Sequence, residues 1–149
     1  MSGLALSLVV AASLLGETRS YQDAHASSQG QGKPLLVLVG ADWCPGCRTL
    51  KNHTLPRLHQ AGKLEPVEFA VVNSDREANL ARRLMRGNSI PQLVLFTRTA
   101  DGWKRQQLTG AQAEQSIESF LNRALADHVV EMKPAVVTTA KDDMGAGGQ

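Results

Sequence analysis

The chain has 149 residues, a length that suits one domain rather than two. Hydrophobic residues make up 42% of it and charged residues 20%, which is the balance of an ordinary soluble domain. The formal charge of +2 is too small to indicate nucleic-acid binding. Arg82, Arg83 and Arg86 cluster on one predicted helix, and we interpret them as a solvated helix face.

The two ends of the chain differ from its middle. Residues 4–15 are uncharged and strongly apolar. This run is shorter than the ~20 residues that cross a bilayer, and its length suits a secretory signal. We therefore expect a signal peptide or short membrane anchor over residues 1–20, a folded domain over 21–130, and a disordered tail over 131–149. The predicted location is periplasmic or otherwise exported, and the alternative is cytoplasmic.

The first predicted elements lead to a pair of cysteines. Residues 21–31 favour a short helix, and the continuous apolar run 35–39 predicts a strand that is buried on both faces. After the cysteines, residues 48–61 have helical spacing, but Pro56 predicts that the helix stops near Asn52 and then restarts.

A second strand and a third helix follow. Residues 67–72 predict the strand. Ser74, followed three residues later by Glu77, has the pattern of a capping box and predicts a helix over 78–86.

The last part of the domain predicts a hairpin and a helix. Residues 92–97 form the third predicted strand, a turn occupies 100–102, and residues 103–108 alternate as an edge strand does. The final helix has a single apolar stripe, made by Ile117, Phe120, Leu121, Ala124 and Leu125. This element order predicts an α/β fold in which helices cover both faces of a mixed four-stranded sheet.

The two cysteines are the strongest chemical signal. Cys44 and Cys47 are the only cysteines, and they lie between a buried strand and a helix. The free N–H groups and partial positive charge of a helix N-terminus stabilise a thiolate. Cys44, at the start of the helix, is therefore the predicted nucleophile and the more exposed of the two. Cys47, nearly one turn on, can attack a mixed disulfide at Cys44, and the spacers Pro45 and Gly46 let the two sulfurs close a small ring.

These residues resemble the active-site stretch of the thioredoxin superfamily. Residues 41–47 read Ala-Asp-Trp-Cys-Pro-Gly-Cys, and Ile90 followed by Pro91 resembles the cis-proline loop of that family. The resemblance implies a thioredoxin fold, a three-layer α/β/α sandwich. It also implies that Trp43, Ile90, Pro91 and Gly110 line the substrate groove opposite the dithiol.

The sequence departs from the common family pattern in the first two predicted strands. The buried acid that ordinary thioredoxins place six residues before the first cysteine corresponds here to Leu38, and its usual lysine partner to Val71. Between the cysteines the chain has Pro-Gly where cytosolic thioredoxins have Gly-Pro. These departures resemble exported thiol-disulfide interchange domains more than a general cytosolic reductant.

The resemblance implies an enzyme, a protein-disulfide oxidoreductase. It would exchange disulfides with protein substrates through Cys44 and Cys47 and would need no cofactor beyond that redox-active disulfide. We expect a monomer that works with an upstream redox partner, binds no nucleic acid, and is tethered to a membrane through residues 4–15 if that segment is retained. The direction of electron flow stays open, and the lack of a Pro-His spacer favours a reductant or interchange role over a strong oxidase.

Two alternatives use the same cysteines. A metal-binding chaperone would combine them with His53 and His59, but a six-residue spacing turns a helical side chain by ~240° and separates such ligands, so we assign no metal. All four histidines are interpreted as surface residues. A redox-inert binding module is the other alternative, although so small a disulfide loop stabilises a fold little. Trp43 is interpreted as a packing residue that shields the dithiol.

Overall fold

The computed structural model describes residues 19–128, so residues 1–18 of the predicted signal or anchor, and the predicted tail, lie outside the described residues. The observed order of strands and helices confirms the predicted one. No helix in this part of the chain is long and apolar enough to cross a membrane. The elements are α1 (Tyr21–Gln31), β1 (Leu35–Gly40), α2 (Pro45–Thr49), a π-helical turn (Leu50–Thr54), α3 (Leu55–Gln60), β2 (Glu68–Asn73), α4 (Ala78–Leu84), β3 (Gln92–Thr99), β4 (Gly102–Thr109) and α5 (Glu114–Ala126).

The four strands form one mixed sheet in the order β2-β1-β3-β4. β1 runs parallel to β2, with Leu38 opposite Val71, and antiparallel to β3. β3 and β4 pair as an antiparallel hairpin. The long crossover between β1 and β2 carries the cysteines and the helical segment after them, as a parallel connection requires.

The core lies on both faces of the sheet. All six residues of β1 are buried, because successive side chains point to opposite faces and helices cover both. On one face, the helices after the cysteines and α5 pack through Leu50, Leu55, Leu58, Ile117, Phe120, Leu121 and Ala124 against Leu36, Leu38, Leu93 and Leu95. On the other face, α1 and α4 contribute Ala24, Ala81 and Leu84 to a cluster with Leu35, Val37, Val39, Ala70, Val72 and Val94.

The predicted break in the helix after the cysteines is wrong. The chain does not stop near Asn52 but stays helical from Pro45 to Gln60 through a π-helical turn. In that turn the N–H of Leu55 donates to the carbonyl of Leu50, five residues back. A widened turn accommodates Pro56, which has no N–H to donate, without ending the helix.

The predicted start and end of α4 also need correction. Ser74 makes no side-chain cap; instead, Glu77 accepts the backbone N–H of Asn73, while the Asn73 side chain accepts the N–H groups of Asp75 and Arg76. Asn73, one residue earlier in the chain, therefore makes the capping contacts that were expected of Ser74. The helix ends at Leu84 rather than at residue 86, because Met85 is already extended.

Contacts at the two ends of the described chain close the domain. Arg19 lies 2.8 Å from the mostly buried Glu68 of β2, and Ser20 caps α1. His128 is half-buried and accepts the N–H of Arg98 at 3.1 Å, while its other ring nitrogen lies 2.9 Å from the carbonyl of Gly32. The interpretation of all four histidines as surface residues is therefore wrong for His128, which joins the end of α5 to β3 and to the turn before β1.

Candidate active site

The cysteine pair lies between the carboxyl end of β1 and the start of α2. Cys44 is the N-cap residue of α2, and its sulfur accepts the backbone N–H of Cys47 at 3.2 Å. Pro45 takes the first helical position, where its missing N–H costs no hydrogen bond. Cys44 and Cys47 form a disulfide with their Cα atoms 5.2 Å apart. The predicted nucleophile thus lies at a helix N-terminus, where a thiolate is stabilised.

Exposure hardly distinguishes the two cysteines in the disulfide form. Cys44 is 6% exposed and Cys47 is 4% exposed, so the expected difference between an open and a buried cysteine is small. Their surroundings differ more. Both belong to a buried cluster with Ala41, against which Ile90 packs, but only Cys47 also lines a large cavity.

The cis-proline loop lies opposite the dithiol. The Ile90–Pro91 peptide bond is cis, as the resemblance implied. A Cβ placed on Gly46 would lie 3.5 Å from Pro91, so the spacer and the loop are in close contact. Gly110, with a φ of 89°, donates its N–H to the carbonyl of Pro91 at 2.8 Å. The structure therefore brings Gly46, Ile90, Pro91 and Gly110 together at the disulfide.

A buried side chain fixes that loop. Gln92, the first residue of β3, is fully buried, and its amide oxygen accepts the N–H of Arg86 at 3.2 Å. Its amide nitrogen donates to the carbonyls of Arg86 and Ser89, both at 2.9 Å. A buried amide with three hydrogen bonds holds the segment before Pro91 against β3.

Trp43 does not pack over the dithiol as predicted. Its side chain is 66% exposed, and its ring N–H donates to the carboxylate of Asp75 at 3.0 Å. Asp42, also exposed, pairs with Arg76 at 2.8 Å. These two contacts tie the residues before Cys44 to the loop after β2, and they leave the indole free to contact a bound molecule.

A groove begins at Trp43 and follows α4 to the cis-proline loop. It has a volume of about 380 Å³, and Trp43, Ala78, Ala81, Met85 and Ile90 supply its apolar walls. We call it the Trp43 groove. Because Ile90 packs against the cluster that contains both cysteines, and Trp43 directly precedes Cys44, a molecule in this groove would lie next to the disulfide.

A second cavity, of about 450 Å³, is lined by Cys47 and shares no described lining residue with the Trp43 groove; we call it the Cys47 cavity. Cys47, Leu38 and Val71 line its inner part, so the positions of the missing acid and lysine border it. Arg48 and Lys51, from the helix that carries Cys47, also line it. This arrangement places cations near Cys47 and no carboxylate at position 38, while Asp42 and Glu77 also line the cavity.

Gly40 makes the closest backbone approach to this site. A Cβ placed there would lie 2.8 Å from the sulfur of Cys47 and 2.9 Å from its Cβ, distances at which one of them must move. The last residue of β1 therefore has to be glycine for Cys47 to pack as it does. A glycine inside a strand often marks such an approach, and this was the signal available in the sequence.

Two ionisable groups near these cavities have shifted pKa values. Burial raises the pKa of Tyr21, which lines the Cys47 cavity, and Arg83 partly opposes the rise. Burial lowers the pKa of Arg105, and the neighbouring charge of Arg86 lowers it further. Arg105 also donates a short hydrogen bond to the carbonyl of Leu84, at the end of α4.

The residues proposed for a metal site do not come together. Within residues 19–128, no three His, Cys, Asp or Glu side chains are grouped as metal ligands. Cys44 and Cys47 are bonded to each other, and His53 and His59 lie exposed on the helix beyond them. Gly40, Asp75, Arg76 and Gln92, together with Arg48 and Lys51, belong to the site although the sequence alone did not point to them.

Comparison with known proteins identifies the fold independently. The family model of a thioredoxin-like domain matches residues 21–125. A thioredoxin from Thermus thermophilus is similar in structure, with a TM-score of 0.61 and 24% identity over 71% of this chain and 84% of that chain. Trichomonas vaginalis thioredoxin has a TM-score of 0.56 and 23% identity, covering 71% of this chain and 92% of that one. Oxidised mitochondrial thioredoxin 3 from Saccharomyces cerevisiae has a TM-score of 0.52 and 20% identity over 68% of this chain and 87% of its own. No match was found among curated proteins.

Proposed function

The chain belongs to the thioredoxin-like domain family, and from this membership we propose that it is a thiol-disulfide oxidoreductase acting on protein substrates. The family and the close cysteine pair together support an oxidoreductase in general. The observation that carries the specific proposal is the Cys44–Cys47 disulfide at a helix N-terminus, opposite the cis-proline loop.

The proposed reaction proceeds in two exchanges. In the reduced protein, the thiolate of Cys44 attacks one sulfur of a substrate disulfide, forms a mixed disulfide and displaces the other substrate sulfur as a thiolate. The thiolate of Cys47 then attacks the Cys44 sulfur and releases the second substrate sulfur. Two electrons pass from the protein to the substrate, and the Cys44–Cys47 disulfide forms. An upstream redox partner returns the protein to the dithiol, and no further cofactor takes part.

The surroundings of each sulfur support this assignment of roles. Cys44 is the helix cap and receives the N–H of Cys47, a contact that also stabilises a thiolate. Cys47 packs against Gly40, away from the Trp43 groove in which a substrate would lie. A substrate thus has its better approach to Cys44, and Cys47 is left to resolve the mixed disulfide.

The setting we propose is outside the cytoplasm, with the protein working as a monomer in a reductant or interchange role. Export rests on the apolar run at residues 4–15. A phosphatase that is active only outside the cytoplasm, fused after residue 20, should be active. Inactivity of that fusion would place the protein in the cytoplasm and leave the chemistry unchanged.

Equilibration of the protein with glutathione buffers tests the chemistry. We expect a reversible two-electron transition of the Cys44–Cys47 disulfide with a midpoint nearer about −270 mV, the thioredoxin value, than about −120 mV, the DsbA value. The absence of any reversible transition would mean a redox-inert binding module. A midpoint near the second value would instead reverse the proposed direction of electron flow.

Trapping tests the assignment of roles. A Cys47→Ser variant should accumulate mixed disulfides with protein substrates through Cys44, because nothing remains to resolve them. The matched Cys44→Ser variant should trap far fewer. Equal trapping by both variants would contradict the assignment of Cys44 as the nucleophile.

A further inference from the structure

The Trp43 groove has an uneven distribution of charge. Its walls are apolar, and among the described residues that line it only Arg82 is charged. The Arg82 guanidinium donates to the carbonyl of Ala78 at 3.3 Å and to the side-chain oxygen of Asn79, and both acceptors are neutral. No carboxylate within residues 19–128 pairs with it. The groove therefore presents a cation that no carboxylate of the described residues compensates.

Two more guanidinium groups lie at the end of the same helix. Arg86 stands between Met85 and Gly87, which line the groove, and its charge lowers the pKa of Arg105. No ion pair joins either arginine to an acid in the described part of the chain. Arg105 already donates to the last carbonyl of α4, so Arg82 and Arg86 are not needed to satisfy that helix end.

No carboxylate of the described chain lines the groove, and the acids of the segments beside it make contacts with other residues. Asp75 accepts the ring N–H of Trp43, and Asp42 pairs with Arg76. Glu77 accepts the backbone N–H of Asn73. Of these three acids, only Asp42 is neutralised by a cation; Asp75 and Glu77 keep their negative charge, but neither of them lines the groove or pairs with Arg82.

We propose that the Trp43 groove selects protein substrates whose cysteine lies beside an apolar residue and is flanked by Asp or Glu. The apolar side chain packs between Trp43, Met85 and Ile90, and a flanking carboxylate pairs with Arg82. The inference rests on the proposed function, because the occupant is the segment whose disulfide reacts with Cys44. It adds a substrate class, acidic segments, to that function.

Three disulfide-linked peptides test the inference with the full-length reduced protein. They share a Leu beside the cysteine and differ only in whether the other flanking positions are Glu, Gln or Lys. We expect second-order rate constants in the order Glu, Gln, Lys. An exposed ion pair predicts a step of about two- to fivefold between Glu and Gln at low ionic strength. This step should shrink as salt screens the charges.

Two arginine variants assign the preference to the groove. Arg82→Gln should lower the rate with the Glu peptide towards that with the Gln peptide. Arg123→Gln is the matched control, because Arg123 is an exposed arginine of α5 that lines none of these cavities. It should leave the order and size of the preference unchanged.

The outcomes separate the inference from the function on which it rests. Equal rates for all three peptides, with exchange still occurring, would overturn the acidic preference and leave the oxidoreductase intact. A Glu preference that survives Arg82→Gln would overturn the role given to this groove. No exchange with any peptide, together with no redox transition in glutathione buffers, would overturn the proposed function itself.

Discussion

The Trp43 groove and the Cys47 cavity both lie beside the disulfide, share no lining residue within residues 19–128, and differ in what they present to it. The groove is walled by apolar side chains that, apart from the buried Ala81, are exposed or half-buried, and it is lined by one cation, Arg82, that pairs with no carboxylate of residues 19–128. The cavity reaches the buried Cys47 between two strand residues, Leu38 and Val71. The two sulfurs of the pair thus have separate environments, one suited to a substrate segment and one suited to small polar molecules such as water.

This difference bears on how Cys47 loses its proton. The resolving step needs a thiolate at Cys47, and the common family pattern has a buried acid to receive the proton. Leu38 supplies no such group, whereas the cavity beside it admits solvent, and its lining has four cations, Arg19, Arg48, Lys51 and Arg76, against two acids, Asp42 and Glu77. We expect water in the cavity to accept the proton and nearby cations to favour the thiolate. Each variant below, apart from the comparison variant Gly30→Ala, alters the Cys47 side and leaves the groove untouched.

Leu38→Asp should have the largest effect. Leu38 is 1% exposed, and loss of a buried leucine costs about 2–5 kcal/mol of unfolding free energy. Burial should raise the pKa of the introduced carboxyl above that in the unfolded chain. The unfolded chain then ionises first, so the variant loses further stability as the pH rises above about 4. Urea unfolding of the oxidised protein at several pH values measures this loss.

Leu38→Asn is the matched control. It introduces a polar side chain of similar shape that does not titrate, so its loss of stability relative to the parent should not change between acid and neutral pH. If Leu38→Asp were as stable at neutral pH as Leu38→Asn, the Cys47 cavity would already solvate a charge. The buried position would then not resist ionisation as we expect.

Gly40→Ala should have the next largest effect. The added methyl would lie within 3 Å of the Cys47 side chain, and overpacking of this kind costs about 1–3 kcal/mol. We expect a lower urea midpoint and a shifted equilibrium of the disulfide with glutathione, because the displaced group is a reacting sulfur. Both measurements use the full-length protein.

Gly30→Ala provides the comparison for that variant. Gly30 lies in α1, and a Cβ there would meet nothing within 4 Å. Alanine is the better helix former by about 1 kcal/mol, so this variant should be as stable as the parent or more so, with an unchanged disulfide equilibrium. A disulfide shift of similar size in both variants would mean that the contact with Cys47 is not its cause.

The sequence was most informative where a local pattern determines the structure. The apolar run of β1 and the stripe of α5 depend on spacing alone. β1 ends one residue beyond its predicted bound, and the predicted stripe is the buried face of α5. The Cys44–Cys47 pair and Pro91 could be located because their neighbours in the chain are distinctive. The fold followed from the order of these elements.

The errors arose where distant parts of the chain decide the outcome. Trp43 donates to Asp75, 32 residues away, and that contact holds the ring in solvent rather than over the dithiol. Gln92 reaches back to Arg86 and Ser89, at the point where the helix was expected to continue. The clash that requires glycine at position 40 involves Cys47, which only the folded helix brings to that distance.

Of the substitutions at Leu38, Gly40 and Tyr21, Tyr21→Phe should have the smallest effect. It reports on the wall of the Cys47 cavity. Burial holds the pKa of Tyr21 above its ordinary value of 10.0. The pKa of Tyr21 is therefore higher in the folded protein than in the unfolded chain. The stability that the buried neutral phenol contributes is complete below pH 10 and is lost as the pH rises through the pKa of the folded state. Tyr21 is the only tyrosine, so its phenolate absorbance follows the titration directly.

The oxidised parent should lose a small amount of stability above pH 10, relative to its value at pH 9, that Tyr21→Phe does not lose. Parallel losses in both proteins would mean that the phenol is as free to ionise in the fold as in the unfolded chain, and that the cavity wall is open to solvent at this position.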